Sequence, residues 1–162
     1  MIVNERGTEN ERLIAVLFQI IKSLRRVTGR TRLMKMAYLV DYLTAKSTGH
    51  AALGIKWSGA VTGPFSNELI DTLRYMDGRF IEEEWYTDTF GDRNYVYLFP
   101  DGGPAMNPPH IKDPRVARIV DQVVKKWGTR PLSELVSYVY TTEPFKNSRL
   151  GIDIKLDSEV VR

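Results

Sequence analysis

The segment "TRLMKMAYLVDYLTAK", residues 31–46, has the apolar spacing of an amphipathic helix, and its role decides between two interpretations of the protein. Thr31 suits the N-cap, because its hydroxyl can accept a hydrogen bond from an unpaired amide of the first turn. Gly49 suits the C-terminal cap. The inward stripe is predicted to consist of Leu33, Met36, Ala37, Val40 and Leu43. Such a helix either enters a DNA groove or forms the core of a module that binds other proteins.

Four further helices are predicted from apolar spacing and capping residues. The first covers about residues 11–27, and the next follows the N-cap Ser66. Asp113 and Pro114 open another as N-cap and first helical residue. A short helix covers about residues 131–140. The chain is therefore expected to be mainly helical.

Alternating residues predict a smaller β component. A strand around Trp57 is expected to end at Gly63-Pro64, "RFIEEEWY" and "NYVYLFP" to form a hairpin, and "GIDIKLD" to be an edge strand. The Gly/Pro-rich segment 101–113 is a soft boundary, but fewer than fifty residues beyond it are too few to bury their own core. We therefore predict one α+β domain over residues 1–162, mainly helical, with a winged-helix-like hairpin in the middle.

Composition excludes several kinds of chemistry. The chain has no cysteine, so disulfides, thiolate catalysis and cysteine-based metal sites are excluded. His50 and His110 lie in predicted surface loops and have no metal-ligand spacing. No phosphate-binding loop or GxSxG motif is present. The N-terminus is polar rather than a signal peptide, and no apolar run near it could span a bilayer. We expect a cytoplasmic protein with no cofactor, metal or membrane contact, and nothing in the sequence demands an enzyme.

Charge is unevenly distributed along the chain, although the net charge is only +3. Residues 22–35 contain no acidic side chain and these basic ones: Lys22, Arg25, Arg26, Arg30, Arg32 and Lys35. Residues 82–92 contain no basic side chain and these acidic ones: Glu82, Glu83, Glu84, Asp88 and Asp92. One surface is therefore expected to attract an anion or an acidic protein and another to repel nucleic acid, unless both runs are simply solvated.

A winged-helix DNA-binding regulator is one interpretation of this order of elements. "LRYMDGRFIEEEWYTDTFGDRNYVYLFPDGG" looks like the last helix and the wing of such a protein. However, the corresponding recognition helix, "SNELIDTLRYM", sets Glu68 and Asp71 against Arg74 alone, and the wing contains "EEE". Acidic groups on both elements oppose phosphate contacts, so DNA is possible as a partner but disfavoured.

Three blocks of the sequence resemble the Panacea domain, also called the SocA-like antitoxin domain. "TRLMKMAYLVDYL" is similar to the signature K-L-x-K-L-[LM]-Y-[LF]-[AV]-[DE], through Arg32, Leu33, Lys35, Met36, Tyr38 and Asp41. "IKWSGAVTGPFSNELIDTLRYM" resembles the next block, through Trp57, Gly63 and Pro64. "VVKKWGTRPLSELVSYVYTTEPF" looks like the closing block, through Trp127, Gly128, Leu132, Leu135, Tyr140, Thr142, Glu143, Pro144 and Phe145.

The resemblance implies a mostly helical interaction module without enzymatic activity or cofactor. Members occur in bacteria, archaea and phages, often as the antitoxin of a toxin–antitoxin pair that neutralises its toxin by direct contact. The implied partner is a protein, for example a toxin encoded nearby.

A docking face for such a partner is predicted beside the inward stripe of the helix at residues 31–46. Helical spacing leaves basic and aromatic side chains exposed together on another face. The candidate partner-binding residues are Arg25, Arg26, Arg30, Arg32, Lys35 and Tyr42. Their charge favours an acidic protein as the partner.

Overall fold

The central element of the protein is a helix, α2 (Arg30–Thr48), that is buried on nearly all sides. The computed structural model describes residues 7–146 and 151–156, so the polar N-terminal residues 1–6 and the end of the tail lie outside the described residues. Every residue of α2 from position 33 to 42 is buried, whereas the sequence predicts a single inward stripe. Gly49 ends the helix in a left-handed conformation at φ 87°, as predicted. Thr31 is not the N-cap, because the helix begins one residue earlier, after Gly29 at φ 96°.

Helix α1 (Gly7–Leu24) ends earlier than the apolar spacing predicts. Arg25 has a φ of 67°, a left-handed conformation that ends the helix. The chain then forms a short strand, β1 (Arg26–Thr28), in which Val27 is buried. The predicted helix end at residue 27 is therefore wrong, because Val27 fills the core from a strand rather than from a helix.

The predicted hairpin is confirmed, and β1 extends it to a sheet. After β1, the chain forms β2 (Trp57–Ala60) and β3 (Gly63–Phe65). The hairpin itself consists of β4 (Glu82–Thr87) and β5 (Arg93–Leu98). The antiparallel sheet has the order β1-β5-β4. This sheet packs against α1 and α2.

A second antiparallel sheet, in the order β3-β2-β6, covers another side of α2. Its last strand, β6 (Asp153–Ile154), confirms the predicted edge strand in the tail. Gly63-Pro64 does not end the β structure as predicted, because Gly63 at φ 110° begins β3. Pro64 is compatible with this strand since β3 lies at the edge of the sheet, where a missing N–H disrupts no ladder.

The remaining helices confirm most of the predicted caps. Ser66 accepts a hydrogen bond from the Leu69 amide at the start of α3 (Asn67–Met76). Asp113 caps α4 (Pro114–Trp127) in the same way. Helix α5 (Leu132–Thr141) matches the predicted short helix, and α6 (Glu143–Lys146) was not predicted.

One hydrophobic cluster contains buried side chains from both sides of the segment 101–113. Helix α4 packs on α1 and α2, and α5 packs on α2, so the C-terminal part shares the core of the N-terminal part. The fold is therefore α+β, mainly helical and a single domain. Within the described residues, no helix is long and apolar enough to cross a membrane.

Candidate interaction surfaces

Two of the predicted partner-binding arginines hold the fold together instead of facing solvent. Arg30 donates a hydrogen bond through Nε to the hydroxyl of Tyr97 at 2.9 Å. Arg32 donates through Nη1 to the Trp127 carbonyl at 3.0 Å, which ties α2 to the end of α4. Burial lowers the pKa of Arg32. Both guanidinium groups are half-buried, so they contribute little to an exposed face.

Two further members of the predicted docking face are buried. Lys35 is 1% exposed and Tyr42 is 8% exposed, because neighbouring elements cover the side of α2 that the sequence left open. Arg25 and Arg26 are exposed at the end of α1 and in β1. The predicted common face is therefore wrong, and only the role of Arg25 and Arg26 in partner binding stays a prediction.

Lys35 instead forms one of the contacts between the first two blocks that carry the family resemblance. Its Nζ donates to the Pro64 carbonyl at 3.1 Å. A methyl group placed on Gly63 would lie 2.9 Å from both Cε and Nζ of Lys35, so only glycine leaves room for the lysine. Burial lowers the pKa of Lys35 to about 8.

Asp41 fixes the loop that follows α2. Its buried carboxylate accepts hydrogen bonds from the amides of Ala52 and Leu53 and from Nε1 of Trp57, each at 2.8 Å. Burial raises the pKa of Asp41 to about 6, although these hydrogen bonds and the charge of Arg12 oppose the rise. The carboxylate therefore attaches the loop and strand β2 to the centre of the fold.

Tyr38 and Tyr140 connect the closing block to the other two. The Tyr38 ring packs edge-on against Trp57, and its hydroxyl lies 2.8 Å from Oγ1 of Thr142. Burial raises the pKa of Tyr38 to about 12. Tyr140 donates a hydrogen bond to the Val61 carbonyl at 3.1 Å and stacks on Phe145.

The other family-motif residues are divided between the core and the surface. Leu33 and Pro144 are buried, whereas Glu143 is exposed and lies 4.0 Å from Lys146 in an ion pair. The three sequence blocks thus meet around α2, where most of the matched side chains pack or form hydrogen bonds within the protein.

The hairpin β4–β5 is anchored to the rest of the protein at its base. The Arg30 guanidinium lies 3.5 Å from the centre of the Tyr95 ring and 3.7 Å from the Glu83 carboxylate, in addition to its hydrogen bond with Tyr97. Tyr97 is fully buried, and burial raises its pKa. The base of the hairpin is therefore fixed by a half-buried cation and three residues of the sheet.

The tip of the hairpin is held by one carboxylate. Asp88 accepts hydrogen bonds from the amides of Phe90 and Asp92 and from the side-chain amide of Asn94, at 2.9 to 3.0 Å. The Asn94 hydrogen bond, together with those from the backbone, lowers the pKa of Asp88. A turn with this many internal hydrogen bonds has a defined backbone conformation.

The tip exposes large aromatic side chains. Phe90 is 88% exposed, Trp85 53% and Tyr86 48%, and Arg93 lies over the Trp85 ring at 4.0 Å. Sequence reasoning missed this group, but a signal was present. Trp85 and Tyr86 are adjacent in a strand and point to opposite faces, so both could not face one core.

The hairpin also carries exposed acidic side chains. Glu82, Glu84 and Asp92 are exposed on the same hairpin. On α3, which would be the recognition helix of a winged-helix protein, Asp71 is exposed and pairs with Arg74 at 4.0 Å. The surface formed by the hairpin and α3 therefore has the acidic character that the sequence predicts.

His50 and His110 are exposed, as predicted, but the fold brings them to the same cavity. In the part of the chain that the structure describes, no group of three or more histidine, aspartate or glutamate residues is arranged to hold a metal ion.

No protein-family model matches the chain, and no curated protein is significantly similar to it. The resemblance to the Panacea family therefore stays a prediction from the three sequence blocks.

Proposed function

We propose that this protein is a non-enzymatic interaction module that neutralises a partner protein by direct binding, as the antitoxin-like resemblance implies. The hairpin β4–β5 is the docking element in this proposal. The observation that supports it is the fixed turn of the hairpin, which carries Phe90 almost fully exposed on the same hairpin as the exposed Trp85 and Tyr86.

Exposed aromatic side chains are the residues that most often dominate the affinity of protein interfaces. A turn whose backbone is held in advance in one conformation loses less entropy when it binds, so more of the contact energy of its side chains appears as affinity. The Asp88 hydrogen bonds supply this pre-organisation at the tip. Phe90 is accordingly the expected anchor, and it fits an apolar pocket on the partner.

The acidic side chains of the hairpin define the partner further. Asp92 lies two residues from the anchor, and Glu84 and Glu82 lie farther along β4, so the partner surface is expected to be basic beside its apolar pocket. This differs from the acidic partner that the basic run of the sequence favours. Association should slow as salt is added, because screening weakens steering between the opposite charges.

The test is an affinity pull-down from nuclease-treated host lysate, read by mass spectrometry and compared between matched variants. Trp85→Thr, Tyr86→Thr and Phe90→Ser together remove the aromatic group, and all three side chains are exposed, so folding should be retained. Arg118→Gln with Lys125→Gln is the control, since these residues are exposed on α4, outside both the hairpin and the predicted docking residues. We expect a stoichiometric protein that binds the wild type and the control but not the aromatic variant.

A toxicity assay then separates an antitoxin from a general binding module. The captured protein is expressed alone, with the wild-type chain, and with the aromatic variant. Growth arrest that only the wild-type chain relieves supports neutralisation by direct contact. Equal capture and equal relief by the aromatic variant would exclude the hairpin as the docking element.

DNA binding is the second candidate, because β1 completes a winged-helix-like sheet with the hairpin. In this alternative, α3 and the wing contact the duplex. DNA retained without nuclease, together with no protein retained after nuclease, would favour this function over the first. The acidic side chains of both elements weigh against it.

A further inference from the structure

A cavity of about 440 Å³ opens between the N-terminal part of α1, the C-terminal end of α2 and the segment leading into α4. The only two histidines of the sequence, His50 and His110, both line it. They are sixty positions apart, so sequence spacing could not bring them together. This volume is within the range of small-molecule sites in proteins.

The floor of the cavity is apolar and its rim is charged. The floor includes Ala15, Val16, Ala51, Ala52 and Val116. Three cationic side chains, Arg12, Lys112 and Arg115, lie at the rim together with Glu11 and Asp113. An apolar floor with a few polar groups at one side is the usual composition of a ligand site.

Two of the rim cations are available for an anion. Arg115 is engaged by Asp113, with Nη2 3.2 Å from the carboxylate. Arg12 and Lys112 form no ion pair with any residue that the structure describes, and both are exposed. The rim therefore has three cations against the two carboxylates of Glu11 and Asp113, and its excess positive charge lies at Arg12 and Lys112, although the charge of Arg12 also acts on the buried Asp41 carboxylate.

Hydrogen bonds hold the wall of the cavity in place. Asp41 accepts from the amides of Ala52 and Leu53, and the Thr48 hydroxyl accepts from the His50 amide at 3.3 Å. The loop that contributes His50 is thus attached to α2 at two points. A ligand would enter a site that is already formed.

We propose that this cavity binds a small organic anion with an apolar body, such as a carboxylate on a short hydrocarbon chain. The apolar body lies on the alanine and valine floor, and the anionic group lies between Arg12 and Lys112. The two histidines border the ligand. This site is separate from the hairpin, so it does not depend on the proposed docking function.

The test uses three probes of equal chain length and different charge: octanoate, 1-octanol and octylammonium. NMR signals of the two histidine rings report occupancy directly, since the chain has no other histidine. We expect octanoate to shift both ring signals saturably, with a Kd on the order of 1 mM. Octanol should bind roughly tenfold more weakly and octylammonium more weakly still, because they lack the charge that the rim attracts.

Variants of the rim test the same assignment. Arg12→Gln with Lys112→Gln should weaken octanoate binding about tenfold or more and leave octanol binding unchanged. Arg74→Gln, an exposed arginine of α3 that does not line the cavity, is the matched control and should leave both unchanged. Equal binding of the three probes, no saturable shift with octanoate, or undiminished octanoate binding by the rim variant would each overturn the proposal.

Discussion

Replacing Lys35 with methionine should change how the stability of the protein depends on pH. Lys35 is 1% exposed, and burial lowers its pKa from 10.5 to about 8. Above pH 8 the unfolded chain keeps this proton while the folded protein loses it. The unfolded state then binds more protons, so stability rises with pH through the window from about 8 to 10.5.

The size of the effect follows from the two pKa values. Between pH 7 and pH 10, the free energy of unfolding of the wild type should rise by about 2.5 kcal/mol relative to Lys35→Met. At pH 7 the substitution has two opposing effects on the free energy of unfolding. Methionine removes the penalty of a buried charge, but it leaves the Pro64 carbonyl without its donor.

Urea unfolding followed by tryptophan fluorescence at pH 7, 8, 9 and 10 measures this difference. Lys46→Met, at an exposed position of the same helix, is the control and should run parallel to the wild type. If the free energy of unfolding of Lys35→Met changes with pH in the same way as that of the wild type, the conclusion that burial lowers the pKa of Lys35 is refuted. Partner binding should be unaffected by Lys35→Met, because the side chain does not reach the surface.

Three other substitutions test neighbouring features. Asp41→Asn should destabilise the protein by about 1–3 kcal/mol in thermal or urea unfolding. Both carboxylate oxygens accept hydrogen bonds from buried N–H groups, and asparagine replaces one of these acceptors with an NH₂ group. Unchanged stability would contradict this role of Asp41. Gly63→Ala should cost more stability than Gly78→Ala, since both have positive φ but only the first added methyl group meets another side chain. Glu82→Lys with Glu84→Lys should strengthen salt-dependent binding to random duplex DNA, and an unchanged affinity in a fluorescence titration would show that these carboxylates do not oppose it.

The local sequence predicted those features that depend on residues within one turn. Ser66 and Asp113 cap their helices because a short side chain reaches an amide two or three positions away. Gly49 ends α2 because glycine readily adopts a left-handed conformation. The hairpin and the tail strand follow from alternation over a few residues. The caps and the hairpin are complete within a short segment of chain, whereas the tail strand pairs with the distant β2.

The candidate sites were predicted less well, because they depend on what covers each element. Periodicity shows that α2 has an apolar side but not that elements far along the chain bury its other sides, including Lys35 and Tyr42. The matched residues of the three family blocks were identified from the sequence, but their packing around α2 was not. The exposed aromatic tip was missed, although adjacent aromatic residues in a strand indicated it.

The sequence by itself determined the types of most elements, the positions of several caps and the acidic character of the hairpin. Only the tertiary structure decided that Val27 belongs to a strand, that Lys35 donates to Pro64, and that His50 and His110 border one cavity. The physical reason is range. Caps and alternation are set by hydrogen bonds and side-chain directions between near neighbours, whereas burial and convergence are set by contacts between segments that only folding brings together.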